Sequence, residues 1–144
     1  MAISDIVVPT LPRWVTANPG ATDADIDTLA ASSPFPLPPD YVALLRAVNG
    51  GEAFTAATEH WDDSYLALWP AGDVLRFNAE YGLHEFAPHY FAFGTNGGGE
   101  LFAFDSRRSG NAVYLVPAIG ISDDDDAILF ADSFSRFVRS IAAS

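Results

Sequence analysis

The residues best equipped for chemistry fall in a few short clusters, and each lacks a part that its chemistry needs. Gly94-Thr95-Asn96-Gly97-Gly98-Gly99 has the glycine density of a phosphate cradle. It lacks the Lys-Ser/Thr pair that completes a P-loop, and it leads into an apolar, strand-like run where a Walker motif needs a helix. A flexible hairpin turn accounts for it better. His84-Glu85-Phe86-Ala87-Pro88-His89 approaches a zincin motif. Its second histidine comes one residue too late, and Pro88 breaks the helix that would align the two rings. No Gly-x-Ser-x-Gly elbow is present and cysteine is absent, so neither a serine elbow nor a thiolate nucleophile is available. Nineteen acidic residues allow many chance carboxylate pairs, and nothing selects one for glycoside chemistry. The expectation is a chain with no catalytic, cofactor or metal residues.

Two other clusters suit binding better than catalysis. Glu59-His60-Trp61-Asp62-Asp63-Ser64-Tyr65 mixes carboxylates with aromatics, and exposed Trp and Tyr are favoured anchors in protein interfaces. The competing reading has Trp61 covering an edge of the core. Asp123, Asp124, Asp125 and Asp126 offer hard oxygen ligands without the spacing or turn glycine of an EF-hand loop. They read as a solvated loop or as an anionic rim that meets a basic partner. The candidate partner-binding set is therefore Glu59, Trp61, Asp62, Asp63, Tyr65 and Asp123 to Asp126. Arg107-Arg108 reads as the solvated charge of a turn.

Charge sharpens that reading. Nineteen acidic residues against seven basic ones give a net charge of −12 over 144 residues. Such a surface repels phosphate backbones and anionic lipid and speeds encounter with basic proteins. Nucleic acid and membrane are therefore not expected as partners. The absence of cysteine suits a reducing compartment, no basic leader opens the chain, and no apolar run approaches the length of a membrane span. A soluble, cytoplasmic protein is expected.

The elements that must position these residues follow from periodicity and cap chemistry. Pro9, Pro12 and Pro19 make the first twenty residues an extended lead-in, with a short strand at Ile6–Val8. Thr22 and Asp25 form a capping-box start for a helix with Ile26, Leu29 and Ala30 on one face, ending before Pro34. Pro38-Pro39 opens a second helix, with Tyr41, Leu44, Leu45 and Val48 on one face and Asn49-Gly50 closing it. A strand at 65–69 precedes a short helix carrying Val74, Phe77 and Tyr81 and ending at Gly82. Tyr90–Phe93 and Leu101–Phe104 flank Asn96-Gly97 as a hairpin, and 112–117 adds a strand. Asp132 and Ser133 then cap a helix with Phe134, Phe137, Val138 and Ile141 in register. The fold class is α+β: a mainly antiparallel sheet with N-terminal helices and a C-terminal helix packed on it, one domain over 1–144.

Leu37-Pro38-Pro39-Asp40-Tyr41 through Asn49-Gly50-Gly51 resembles the signature helix of the SUKH superfamily. That group includes the yeast Smi/Knr cell-wall regulators and many bacterial immunity proteins. Later features keep the family's order. Leu68-Trp69 precedes a short helix with Asn78. Phe93-Gly94, Gly99-Glu100 and Phe104-Asp105 resemble its central hairpin, and Ser133-Phe134 with Phe137-Val138 its last helix. The resemblance spans roughly 22–142. It implies a non-catalytic, cytosolic immunity protein that occupies and blocks a cognate toxin domain. Such toxins are often nucleases or nucleotide-modifying enzymes, and a basic toxin face would attract this acidic chain. Two alternatives stay open: a regulatory or scaffold module like the cell-wall regulators, and a small hydrolase using His84 or His89.

Overall fold

Why the chain turns where it does is clearest at its helix ends. The computed structural model describes residues 8–56, 64–108, 111–119 and 127–142. After a 3-10 turn at Val8–Thr10 come β1 (Trp14–Ala17), α1 (Asp23–Ser32), α2 (Pro39–Ala47), β2 (Gly51–Thr55) and β3 (Ser64–Leu68). Next are α3 (Ala71–Glu80), α4 (Leu83–Phe86), β4 (Tyr90–Thr95), β5 (Glu100–Asp105), β6 (Val113–Pro117), β7 (Ile128–Ala131) and α5 (Phe134–Ala142). At the start of α1 the Thr22 hydroxyl accepts from the Asp25 N–H and the Asp25 carboxylate accepts from the Thr22 N–H, the expected capping box. Pro39 stands at the first position of α2, where a missing N–H costs nothing.

The seven strands form one sheet in chain order, β1 to β7, and every neighbouring pair is antiparallel. The α+β expectation is met. The strand expected at Ile6–Val8 is not found where it can be checked: Val8 lies in the 3-10 turn, and Ile6 lies outside the described residues. The strand instead occupies Trp14–Ala17, between Pro12 and Pro19, where no proline interrupts the row of backbone donors. Trp14 ties it down by donating from Nε1 to the Val8 carbonyl at 2.6 Å.

Aromatic rings fill the space between sheet and helices. Phe93 of β4 meets Tyr41 of α2, Phe102 and Phe104 of β5, and Phe134 and Phe137 of α5, with centroids 4.7 to 6.5 Å apart. Phe35, between α1 and α2, stacks on Phe91 and Phe104. Each such pair adds about 0.5–1.5 kcal/mol beyond simple burial. Among the described residues, the buried apolar side chains belong to one continuous cluster. Tyr41 is buried within it, and among the described residues its hydroxyl has no hydrogen-bond partner. Burial pushes that phenol well above its ordinary pKa.

The Asn-Gly-Gly segment after α2 is a junction as well as a cap. Asn49 accepts at Oδ1 from the Ala71 N–H at 2.7 Å, so the residue ending one helix caps the start of another. Proline at the N-cap of α3 has no side chain for that task. Gly50 has φ +82°, and a Cβ there would lie 2.7 Å from both the Leu68 carbonyl oxygen and the Pro70 nitrogen. A Cβ on Gly51 would lie 2.4 Å from the Thr16 carbonyl oxygen. Backbones approach too closely at both positions for any other residue.

A second polar anchor joins α3 to the sheet. β3 and β4 pair through Ala67 with Thr95 and Leu68 with Gly94, after which the strands part. Asn78, buried on α3, takes over the lost pairing. Its Nδ2 donates to the carbonyls of Ala92 and Val74, and its Oδ1 accepts from the Ala92 N–H, at 2.8 to 2.9 Å. A third anchor closes β5. Asp105 is buried, and its carboxylate accepts from the Arg107 backbone N–H, Nε and Nη2, with Arg108 at 3.6 Å. Arg107-Arg108 is thus more than the solvated turn charge expected. Burial alone would raise the Asp105 pKa, but the hydrogen bonds and charge of the two arginines outweigh it and hold the carboxyl below its ordinary value.

Two outcomes follow. Asn78→Ala leaves the buried Ala92 amide and carbonyl without partners and should cost about 2–4 kcal/mol in urea unfolding at neutral pH. Asp105→Asn should lose about 1.5–3 kcal/mol at neutral pH, the range for hydrogen bonds to charged groups. Because the folded pKa is depressed, this contribution is present above the unfolded carboxyl value of about 4 and is lost as pH falls through the folded value. Denaturant midpoints of wild type and variant should therefore converge below about pH 4. A gap that stays constant with pH would contradict the assignment.

Candidate partner-binding face

Alternation along β2 sends Ala53 and Thr55 inward and leaves Glu52 and Phe54 outward. β3 does the same with Leu66 and Leu68 buried and Tyr65 and Ala67 on the outer side. The register sets Phe54 directly opposite Tyr65, and their rings meet edge to face at 5.8 Å. Phe54 remains 40% exposed. Such cross-strand aromatic pairs are favourable and rigid.

A carboxylate is fixed beside the rings. Tyr65 donates its phenol hydrogen to Glu52 Oε1, and Thr16 of β1 donates its hydroxyl to Oε2 at 3.3 Å. The Glu52 N–H in turn donates to the Thr16 hydroxyl oxygen. The hydrogen bond to Glu52 is the main reason the Tyr65 phenol titrates above its ordinary value; slight burial and the carboxylate's charge add to it. The β4–β5 loop closes against the same ring, since a Cβ on Gly97 would lie 3.1 Å from Tyr65 Cδ2. Glu52, Phe54, Tyr65 and Thr16 thus present aromatic surface and negative charge in fixed geometry on an open stretch of sheet.

Of the residues expected to bind a partner, the structure places Tyr65 on this face. Glu59, Trp61, Asp62, Asp63 and Asp123 to Asp126 lie outside the described residues. Sequence reasoning missed Glu52 and Phe54. The signal was the period-2 alternation of Gly51-Glu52-Ala53-Phe54-Thr55, hidden because the preceding Asn-Gly-Gly reads as a helix stop.

The other candidates have local explanations. In the glycine-rich loop, the Gly98 N–H donates to Asn96 Oδ1 at 2.9 Å and the Gly97 N–H donates to the Thr95 hydroxyl at 3.1 Å. Asn96 Oδ1 also accepts from the Glu100 N–H, and its Nδ2 donates to the Glu100 carboxylate. Amides that a phosphate would need are already engaged, and the expected flexible turn is internally braced. His84 and His89 are both solvent-exposed. Among the described residues no three His, Asp or Glu side chains gather closely enough to hold a metal, and no helix is long and apolar enough to cross a membrane.

The tether between Tyr65 and Glu52 has a spectroscopic consequence. Glu52→Ala removes both the hydrogen-bond acceptor and the charge that favour the neutral phenol, so the Tyr65 pKa should fall toward its ordinary value near 10. Absorbance titration, with Tyr65→Phe identifying the signal, reads the shift directly. An unchanged titration would show that the two side chains do not interact in solution.

A comparison with curated proteins found no match. Residues 20–140 match the SMI1 / KNR4 family (SUKH-1), from the lead-in before α1 through most of α5. With β2 to β7 of the antiparallel sheet, the Asn-Gly-Gly junction and the Asn78 bridge all inside that span, the chain belongs to the SMI1 / KNR4 (SUKH-1) family.

Proposed function

We propose that this chain is a non-catalytic protein-binding domain, an immunity-type inhibitor that engages a basic toxin domain in the cytosol. The observation that carries the proposal is the outer face of β1–β3, where Phe54 and Tyr65 flank a carboxylate held by two hydroxyls. Fixed aromatics lose little freedom on binding, which is what makes such residues effective anchors. Glu52 and the −12 net charge favour a partner rich in lysine and arginine. Family membership supports a binding role of this kind. Rim carboxylates mainly accelerate encounter, whereas the aromatic pair governs how long a complex lasts.

Co-expression and co-purification with the product of the neighbouring gene tests the reading. A complex that suppresses toxicity is expected, with association slowing as salt screens the charges. Phe54→Ala and Tyr65→Ala should each raise the dissociation constant by about thirtyfold or more, the 2 kcal/mol scale of an interface anchor. Wild-type protein that neither binds nor neutralises an adjacently encoded toxin would refute the immunity role. Full affinity in both alanine variants would move the contact off this face.

A further inference from the structure

The hydrogen bonds around Glu52 narrow what a partner must present to the β1–β3 face. An ionised carboxylate offers about four lone-pair sites over its two oxygens. On Glu52 each oxygen receives one hydroxyl, from Tyr65 at Oε1 and from Thr16 at Oε2. Each oxygen therefore keeps room for a further donor. Glu52 is exposed, and among the described residues no basic side chain pairs with it.

The carboxylate is also held still. With a hydroxyl on each oxygen, turning the group breaks two contacts at once. Thr16 is fixed in its turn by accepting from the Glu52 N–H at 3.2 Å. The Tyr65 ring is braced by Phe54 on one strand and by the Gly97 loop. Phe54 lies two residues along β2 from Glu52, so both side chains stand on the same face of the sheet. A fixed pair of acceptors thus shares that face with an exposed aromatic ring.

That combination matches a guanidinium. The group is planar, carries its donors in a rigid fork that meets both oxygens of a carboxylate, and packs on aromatic rings. An ammonium is a compact, strongly hydrated point charge with no fork. Anionic ligands are repelled by the Glu52 charge. We infer that Glu52, Phe54 and Tyr65 form an arginine-selective contact. It takes the guanidinium of one partner arginine on the Glu52 carboxylate, with the arginine side chain against Phe54, and it discriminates against lysine. Tyr65 and Thr16 are positioning residues that hold the carboxylate for the fork. The inference rests on the protein-binding reading of this face and specifies the side chain that a partner must bring to it.

The test titrates the full ¹⁵N-labelled chain with two short peptides, acetyl-Gly-Ser-Arg-Ser-Gly-amide and its counterpart with lysine in place of arginine. The arginine peptide should shift the amides of Glu52, Phe54 and Tyr65 saturably and bind about fivefold or more tightly than the lysine peptide. Glu52→Gln, at an exposed site, should abolish that preference while the rest of the spectrum stays in place. Tyr65→Phe keeps the ring and frees the carboxylate. It should shrink the preference while the lysine peptide binds about as before, whereas a merely structural role would weaken both peptides alike. Equal binding of the two peptides, no saturable shift with either, shifts centred away from this face, or a preference that survives Glu52→Gln or Tyr65→Phe would each overturn the inference. No toxin enters this measurement. A toxin complex alongside equal peptide binding would end the arginine assignment and spare the immunity reading, and arginine preference without any toxin partner would do the opposite.

Discussion

The architecture depends on one crowded crossing of backbones at Asn49, Gly50 and Gly51. The Asn18 N–H donates to the Gly50 carbonyl and the Asn49 N–H to the Pro19 carbonyl, so the chain leaving β1 is bound to the chain leaving α2. The Asn49 side chain then reaches α3, while the two glycines let β2 start against β1 and beneath the β3–α3 turn. Four elements take their relative positions from three residues. Because the groups involved are backbone, the neighbours cannot move aside for a larger residue, and the constraint falls on sequence. This is a physical reason for Asn-Gly-Gly at these three positions.

From that crossing, β2 emerges with a fixed phase. Glu52 is the second residue of the strand, so its outward direction, and that of Phe54 after it, is set by where Gly51 must sit. Tyr65 follows through the β2–β3 register. The outer face of β1–β3 is thus a consequence of the same geometry that packs the core on the other side. A rigid scaffold displaying fixed aromatics and a braced carboxylate suits recognition better than bond-making, which needs convergent groups in a sheltered site.

Much of this was legible in the sequence because apolar spacing and caps agree wherever elements are long. The capping box at Thr22, the proline start of α2, the 90–105 hairpin and the phenylalanine spacing of α5 all appear as expected. What escaped was short or non-local. β1, β2 and β7 have four or five residues each, too few for a period to stand out, and α4 is a single turn. Asn78 stood out only through the family resemblance, and its bridging role escaped because its partner residue on β4 is fourteen positions away. Arg107 and Arg108 read as solvated turn charge, since nothing local tells that the Asp105 carboxylate they meet is buried. Phe54 and Glu52 were missed for the same reason: their neighbours come from register.

The parting of β3 from β4 gives the sheet a seam. On one side lie β1, β2 and β3, on the other β4 through β7, and among the described residues the backbone pairing between them is two residue pairs and the Trp69–Phe93 bond, supplemented by the bridge from α3 through Asn78. Each panel keeps its own dense ladder of hydrogen bonds. A change in loop length or tilt within one panel is therefore transmitted weakly to the other. The outer surfaces of the two panels can thus change independently while the line between them stays fixed.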